Sequence, residues 1–364
     1  MSSWGRKSAA GLLAAAVLML APAPAAAAGS ATRAYAVRTA TLIVLDPATN
    51  TVSAQVPLGF SPSPRVRPDG AEVYLSDEFG GAIHVLDAAT NAVVATITVG
   101  GAPTRVAFTP DSRFAYTTNS DLAAVQVIDT ASRRVVRTIS IDPIGEWTQF
   151  FAPAVSPDGA KVYLGRDHDP GDNSQTVAAE VLVISTATNT LTAVIPLPSP
   201  ATLPERMAFS PNGRLAMTNG GFIMDVPTDT LLRRIPVDRS FGRDFTFSAD
   251  STGVYVVDTC AGNLQGALQH FDVATGALLR TLLVGRHPML LAPTPDRMHL
   301  YVVTDGGRNL AEVDTAAWTV EDEFGGTNPA SARIFGLEVS NTAPLTQPGT
   351  RFGLGAPFRH VCGP

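Results

Sequence analysis

Short apolar runs that close on a small polar residue, usually aspartate, recur along the whole chain. They read Leu42-Ile-Val-Leu-Asp46, Ile83-His-Val-Leu-Asp87 and Val125-Gln-Val-Ile-Asp129, then continue with variation. The later ones are Val181-Leu-Val-Ile-Ser185, Phe222-Ile-Met-Asp225, Leu268-Gln-His-Phe-Asp272 and Leu310-Ala-Glu-Val-Asp314. Runs this short and this rich in β-branched residues predict strands. From one closing residue to the next the steps are 41, 42, 56, 40, 47 and 42 residues. Steps of about 40 residues are the period of a four-stranded propeller blade, not of a helical repeat. Seven occurrences predict an all-β chain, a seven-bladed β-propeller of four-stranded antiparallel blades.

Each unit repeats one internal order. An apolar strand leads into a turn such as Pro68-Asp69-Gly70, Pro157-Asp158-Gly159 or Pro211-Asn212-Gly213. Proline presets the first central dihedral of such a turn, and Asp and Gly suit the places after it. A second strand follows, carrying Tyr74, Tyr116, Tyr163, Tyr255 or Tyr301. Next comes the strand closed by aspartate, and then a hairpin of the form Asp87-Ala-Ala-Thr-Asn91 or Asp272-Val-Ala-Thr-Gly276. The opening Asp caps backbone amides, and Asn or Gly at the fifth place tolerates a left-handed backbone. Turn geometry therefore accounts for the aspartate series without any catalytic or calcium-binding role. Pro196 and Pro236 in the fourth strands predict an outer edge, because proline cannot donate to a ladder. The chain begins at Tyr35–Arg38 in second-strand position. The segment Arg333-Ile-Phe-Gly-Leu-Glu-Val-Ser340 matches first strands, so it is predicted to complete the first blade.

These motifs resemble the YVTN-type β-propeller repeat family, most closely from Gly101-Ala-Pro103 through Tyr116-Thr-Thr-Asn119 to Asp129. The resemblance spans Tyr35 to Ser340, with Ala216 in place of the Tyr, Ser185 of the Asp and Ala249 of the turn Pro. It implies an exported or cell-surface propeller and is nearly silent about activity. Related seven-bladed propellers include lactone hydrolases and lyases.

Composition narrows the classes of function. Residues 1–28 read as a signal peptide, with Arg6 and Lys7 before an apolar stretch and small-residue cleavage sites. The expected layout is signal peptide 1–28, propeller 29–345 and a C-terminal tail 346–364. The product is expected to be secreted, periplasmic or in the cell envelope, a monomer without a membrane span. Without Arg6 and Lys7 the chain keeps 24 of its 26 Lys+Arg against 32 Asp+Glu, a net charge of −8 that argues against nucleic-acid binding. The two cysteines, Cys260 and Cys362, are read as a disulfide tethering the tail, with two free thiols as the alternative. Closing a loop of about 100 residues would contribute roughly 4–5 kcal/mol from chain entropy.

Site chemistry is expected where inner strands begin and second strands end, at the channel mouth. The ligand-binding candidates there are Arg105, Arg206, Arg243, Asp244, His287, Asn119 and Asp258. Guanidinium and carboxylate groups suit a polar or anionic ligand, or else pair with one another between blades. His287 is placed to act as a base near Asp244. The longest insertion carries Asp167, Asp169 and Asp172, oxygens that calcium could use, although the EF-hand Gly and distal Glu are missing. No other cofactor is evident, and no residue can be assigned a catalytic role. Two functions stand side by side: a module binding a small molecule, glycan or protein, and a hydrolase such as a lactonase, or a lyase, with a polar site at the mouth.

Overall fold

A computed structural model describes residues 33–38, 40–46, 51–60, 62–142, 148–168, 178–198, 204–237, 244–259, 265–294, 296–304, 309–324 and 337–340. The expected signal peptide, Arg243, Asp169, Asp172, Cys260, Cys362 and the tail lie outside these residues. No helix among the described residues is long and apolar enough to cross a membrane.

The described residues form 29 strands in seven antiparallel sheets. The first sheet holds β1 (Arg33–Arg38), β2 (Thr41–Asp46) and β3 (Thr51–Pro57). The second holds β4 (Ser63–Val66), β5 (Glu72–Asp77), β6 (Ala82–Asp87) and β7 (Val93–Thr98). The third runs β8 (Pro103–Phe108), β9 (Phe114–Asn119), β10 (Ala124–Asp129) and β11 (Arg134–Ser140). In the fourth, two short pieces, β12 (Thr148–Phe150) and β13 (Ala154–Val155), both pair with β14 (Lys161–His168), beside β15 (Ala178–Ser185) and β16 (Thr190–Leu197). The fifth is β17 (Met207–Phe209), β18 (Leu215–Thr218), β19 (Phe222–Asp225) and β20 (Thr230–Arg234). The sixth is β21 (Phe245–Phe247), β22 (Gly253–Asp258), β23 (Gln265–Asp272) and β24 (Leu278–Arg286). The seventh is β25 (Leu290–Pro293), β26 (His299–Thr304), β27 (Asn309–Asp314) and β28 (Thr319–Phe324). The last strand, β29 (Leu337–Ser340), pairs with β1, with Ala36 opposite Leu337 and Arg33 opposite Ser340.

Burial follows strand order. The first strands are covered on both faces: all six residues of β8 are buried. The fourth strands leave most side chains exposed, as in β7 and β11. First strands neighbour one another from sheet to sheet, β4 with β8, β8 with β13, and on through β17, β21 and β25, while β29 touches both β25 and β4. The predicted outer position of Pro196 holds, in β16, whereas Pro236 falls just past the end of β20.

The repeat motifs do what their chemistry predicts. Gly70, Gly159 and Gly213 close their turns at φ of 73°, 73° and 71°. The Asp87 carboxylate accepts from the amides of Ala89 and Thr90 and from the Thr90 hydroxyl, which holds it below the ordinary carboxylate range. The fifth hairpin residue is left-handed even where it is neither Asn nor Gly: φ is 53° at Arg133, 53° at Asp229 and 60° at Trp318.

That left-handed residue docks onto the second strand of the preceding sheet. Tyr116 donates to Asn189 Oδ1 at 2.9 Å, and Tyr163 donates to Asp229, which also takes Lys161 Nζ at 2.8 Å. Tyr255 stacks on Trp318 at 5.9 Å. Arg133 reaches back to Glu72, beside Tyr74, at 2.6 Å. Tyr116, Tyr163 and Tyr255 therefore span seams between sheets. Tyr116→Phe should lower stability by about 0.5–1.5 kcal/mol, since Asn189 Oδ1 loses a donor. Urea unfolding measures this, and an unchanged midpoint would refute the seam role.

Candidate functional site

The second strand of the fourth sheet, β14, has eight residues and is the longest of the second strands. Alternation along β14 sends Val162, Leu164, Arg166 and His168 toward the third sheet, and Tyr163, Gly165 and Asp167 toward the fifth. Leu164 and Val162 accordingly pack with Val125 and Val127, while Tyr163 packs with Phe209.

On the first of these faces, Arg166 lies opposite Glu180 in register. Its Nε donates to Glu180 Oε2 at 3.1 Å, its Nη2 bonds the same oxygen, and its Nη1 reaches the Asp142 carbonyl at 3.3 Å. His168 Nε2 lies 3.4 Å from Glu180 Oε1. Glu180 thus fixes both a cation and an imidazole in place.

On the other face, Gly165 lets the chain running into β17 pass against β14. A Cβ at Gly165 would overlap the Pro204 carbonyl and ring. Glu205 follows directly, close enough for its carboxylate to act electrostatically on Asp167. Asp167 is only 2% exposed, and its Oδ1 has no hydrogen-bond partner among the described residues. Burial pushes the Asp167 carboxyl up to about 6, the Glu205 carboxylate adds to the rise, and the Asp167 amide and His168 oppose it. Burial also raises Glu205, against the pull of Arg105. Two carboxyls with raised affinity for protons therefore stand together, with Arg105 acting on one and His168 on the other. Such a set can accept from a ligand hydroxyl or amine, and can donate once protonated.

Two of the other predicted site residues, Arg206 and Asp244, join one sheet to the next. Arg65, Arg105, Arg206 and Asp244 occupy matching places, each one residue ahead of Val66, Val106, Met207 or Phe245. Arg65 Nε donates to the Val106 carbonyl of the next sheet at 3.0 Å. Arg206 forms a buried ion pair with Asp244 and lies 5.2 Å over the Phe245 ring. Asp244 also accepts from the amides of Phe245 and Leu291, each at 2.8 Å. It therefore links the fifth, sixth and seventh sheets. Asn119 shapes a turn, donating to the Gly100 carbonyl at 2.6 Å and accepting from the Leu122 amide at 3.3 Å. Asp258 takes Gln269 Nε2 at 3.2 Å within its own sheet. His287 turns the end of β24 at φ 45°, and no hydrogen bond or ion pair joins it to Asp244. Of the calcium candidates only Asp167 is described, and it faces Glu205.

Glu180 and Glu205 were absent from the sequence-based set. The available signal for Glu205 was its place next to Arg206 at the start of an inner strand. Glu180 had none without the β14–β15 register.

No family model matches the chain, and no curated protein matches it. Among solved structures it is similar to hydrazine synthase from Kuenenia stuttgartiensis at 18% identity, TM-score 0.59, covering 81% of this chain and 96% of that one. It is also similar to dihydro-heme d1 dehydrogenase NirN in complex with DHE, at 14% identity, TM-score 0.60, covering 88% and 73%. A functionally unknown protein from Desulfotomaculum acetoxidans matches at 17% identity, TM-score 0.59, covering 82% and 98%. Together with the four-stranded sheets, these likenesses make the fold a β-propeller. At such identities they speak for the fold alone.

Proposed function

We propose that this chain is an exported, seven-bladed propeller that binds a polar, hydroxyl- or amine-bearing small molecule or glycan at its channel mouth, through the Asp167–Glu205 cluster. The seven sheets serve as the seven blades, and β29, laid beside β1, completes the first and ties the ring shut. The cyclic succession of first strands supports that closure. Kinship with YVTN-type repeats, a Cys260–Cys362 disulfide and a monomeric state belong to the same reading.

One observation carries the ligand assignment: the Asp167 oxygen buried without a partner. An unmet buried acceptor costs stability in the free protein and is retained where a ligand supplies the donor. The Arg166–Glu180–His168 set braces the end of β14 from its opposite face. An enzyme reading, hydrolase or lyase, draws on a different observation. A carboxyl pushed up to about 6 beside a second raised carboxyl can act as a general acid near neutral pH.

Thermal-shift and calorimetric screening of the full chain against amino sugars, neutral sugars, lactones and calcium tests the assignment. A sugar or amine hit lost in both Asp167→Asn and Glu205→Gln, and kept in His84→Ala, supports it. Binding that survives both substitutions overturns it. Lactone turnover lost in Asp167→Asn would favour the enzyme reading, and a calcium response alone would favour a metal at Asp167.

A further inference from the structure

At the opposite strand ends, the seventh sheet gathers a different set of groups. His299 opens β26, Asp314 closes β27 directly across from it, and Glu321 follows on β28. One ligand-capable atom from each lies within 4.8 Å of the others, and His299 Nε2 is 3.3 Å from Glu321 Oε2. The three come from adjacent, hydrogen-bonded strands, so their spacing is fixed by the sheet and not by a loop.

Asp314 is already oriented. Its Oδ1 accepts from the amides of Ala316 and Ala317, both at 2.7 Å, leaving the second oxygen clear of those amides. Asp296, whose carboxylate is held below its ordinary range by the Thr294 hydroxyl and the Met298 amide, adds a further negative charge nearby. The adjacent cation is directed elsewhere: Arg297 Nη1 donates to the Phe247 carbonyl of the sixth sheet at 3.0 Å. An imidazole therefore sits among carboxylates, with the neighbouring guanidinium aimed away.

The other sheets show that the hairpin does not require this combination. The closing residue, Asp or in the fourth sheet Ser185, recurs with the turn, but the residue across from it is Glu72, Phe114, Lys161, Leu215 or Gly253 in the second to sixth sheets. The residues at the place equivalent to Glu321, the one skipped at the register shift, are Val94, Val136, Thr192, Leu232 and Leu279. From the second sheet to the seventh, the seventh alone holds metal-ligating side chains at both flanking places among the described residues.

We propose that His299, Asp314 and Glu321 bind a divalent transition-metal ion of the zinc class. One imidazole nitrogen and two carboxylate oxygens suit such an ion better than calcium, which prefers an all-oxygen shell of six to eight ligands. Three protein ligands leave a coordination place for water or an outside donor. The amides on Asp314 are the kind of outer contacts that orient a ligand.

The test uses untagged, chelator-treated full chain titrated with zinc by calorimetry, and with cobalt while visible absorption is recorded. One zinc per chain is expected, together with cobalt bands of a low-coordinate nitrogen–oxygen site. His299→Ala, Glu321→Gln and Asp314→Asn, the last of which retains an acceptor for the hairpin amides, should each weaken zinc at least about tenfold and remove the bands. His84→Ala, a half-buried histidine 3.8 Å from Asp77, should change neither. No zinc binding at millimolar concentration, or equal binding in His299→Ala with the circular-dichroism spectrum intact, would overturn the assignment.

Discussion

Asp244→Ala should be among the most destabilising single substitutions in this propeller, lowering stability by about 3–5 kcal/mol. Asp244 is 1% exposed, and three demands meet on its carboxylate: the Arg206 guanidinium and the amides of Phe245 and Leu291. Removing it leaves a buried cation without its counter-charge and two buried amides without an acceptor, each a loss the protein cannot recover from water. The amides belong to the sixth and seventh sheets and the cation to the fifth, so two seams loosen together. Arg206→Met should cost less, because an apolar side chain of similar length fills the space over Phe245 and Asp244 keeps its two amide donors. Asp258→Ala provides the contrast. Its bond to Gln269 Nε2 is only partly buried and stays within one sheet, and the expected loss is below about 1 kcal/mol. Equilibrium denaturation of the three variants ranks them, and an Asp244→Ala midpoint equal to that of Asp258→Ala would remove the seam argument.

The same residues show where sequence reasoning runs out. The period of the closing aspartates and the Pro-x-Gly turns was enough to predict antiparallel four-stranded sheets, because those features depend on local backbone chemistry. Arg206 and Asp244 looked like ligand groups because both start an inner strand at the mouth. Their role depends on what the next sheet presents at the same height, here the Leu291 amide, and no local pattern encodes that. Arg166 and Glu180 face each other only because β14 and β15 lengthen together, which fixes a register that spacing alone leaves open. The histidines shared no ligand spacing with each other. His299 finds its neighbours 15 and 22 residues away, on strands whose alignment depends on a bulge between Glu312 and Val313.

Asp167→Asn should make the protein more stable and at the same time end ligand binding. With a folded-state pKa of about 6 against 3.8 for the free side chain, the folded chain holds a proton that the unfolded chain releases. Stability attributable to Asp167 is therefore fully present below about pH 3.8, falls as the pH rises toward 6, and is flat beyond. At neutral pH the ionised carboxylate costs at most about 3 kcal/mol, and about 1–3 kcal/mol once partial access of water is counted. Asparagine has nearly the same shape and no charge to bury, so its advantage should be greatest above pH 6 and vanish near pH 3.8. Urea midpoints for both proteins at pH 4 and pH 7.5 give the comparison, and a difference that does not change with pH would contradict the burial argument. An amide also cannot supply the negative charge that attracts an amine or orders a hydroxyl, so the stabilised variant should fail in the ligand screen. A stability gain that coincides with lost binding is expected where a buried group is kept for function and not for the fold. A gain with binding intact would make Asp167 an unrepaired defect, and would move the search for the ligand to Arg166 and Glu180.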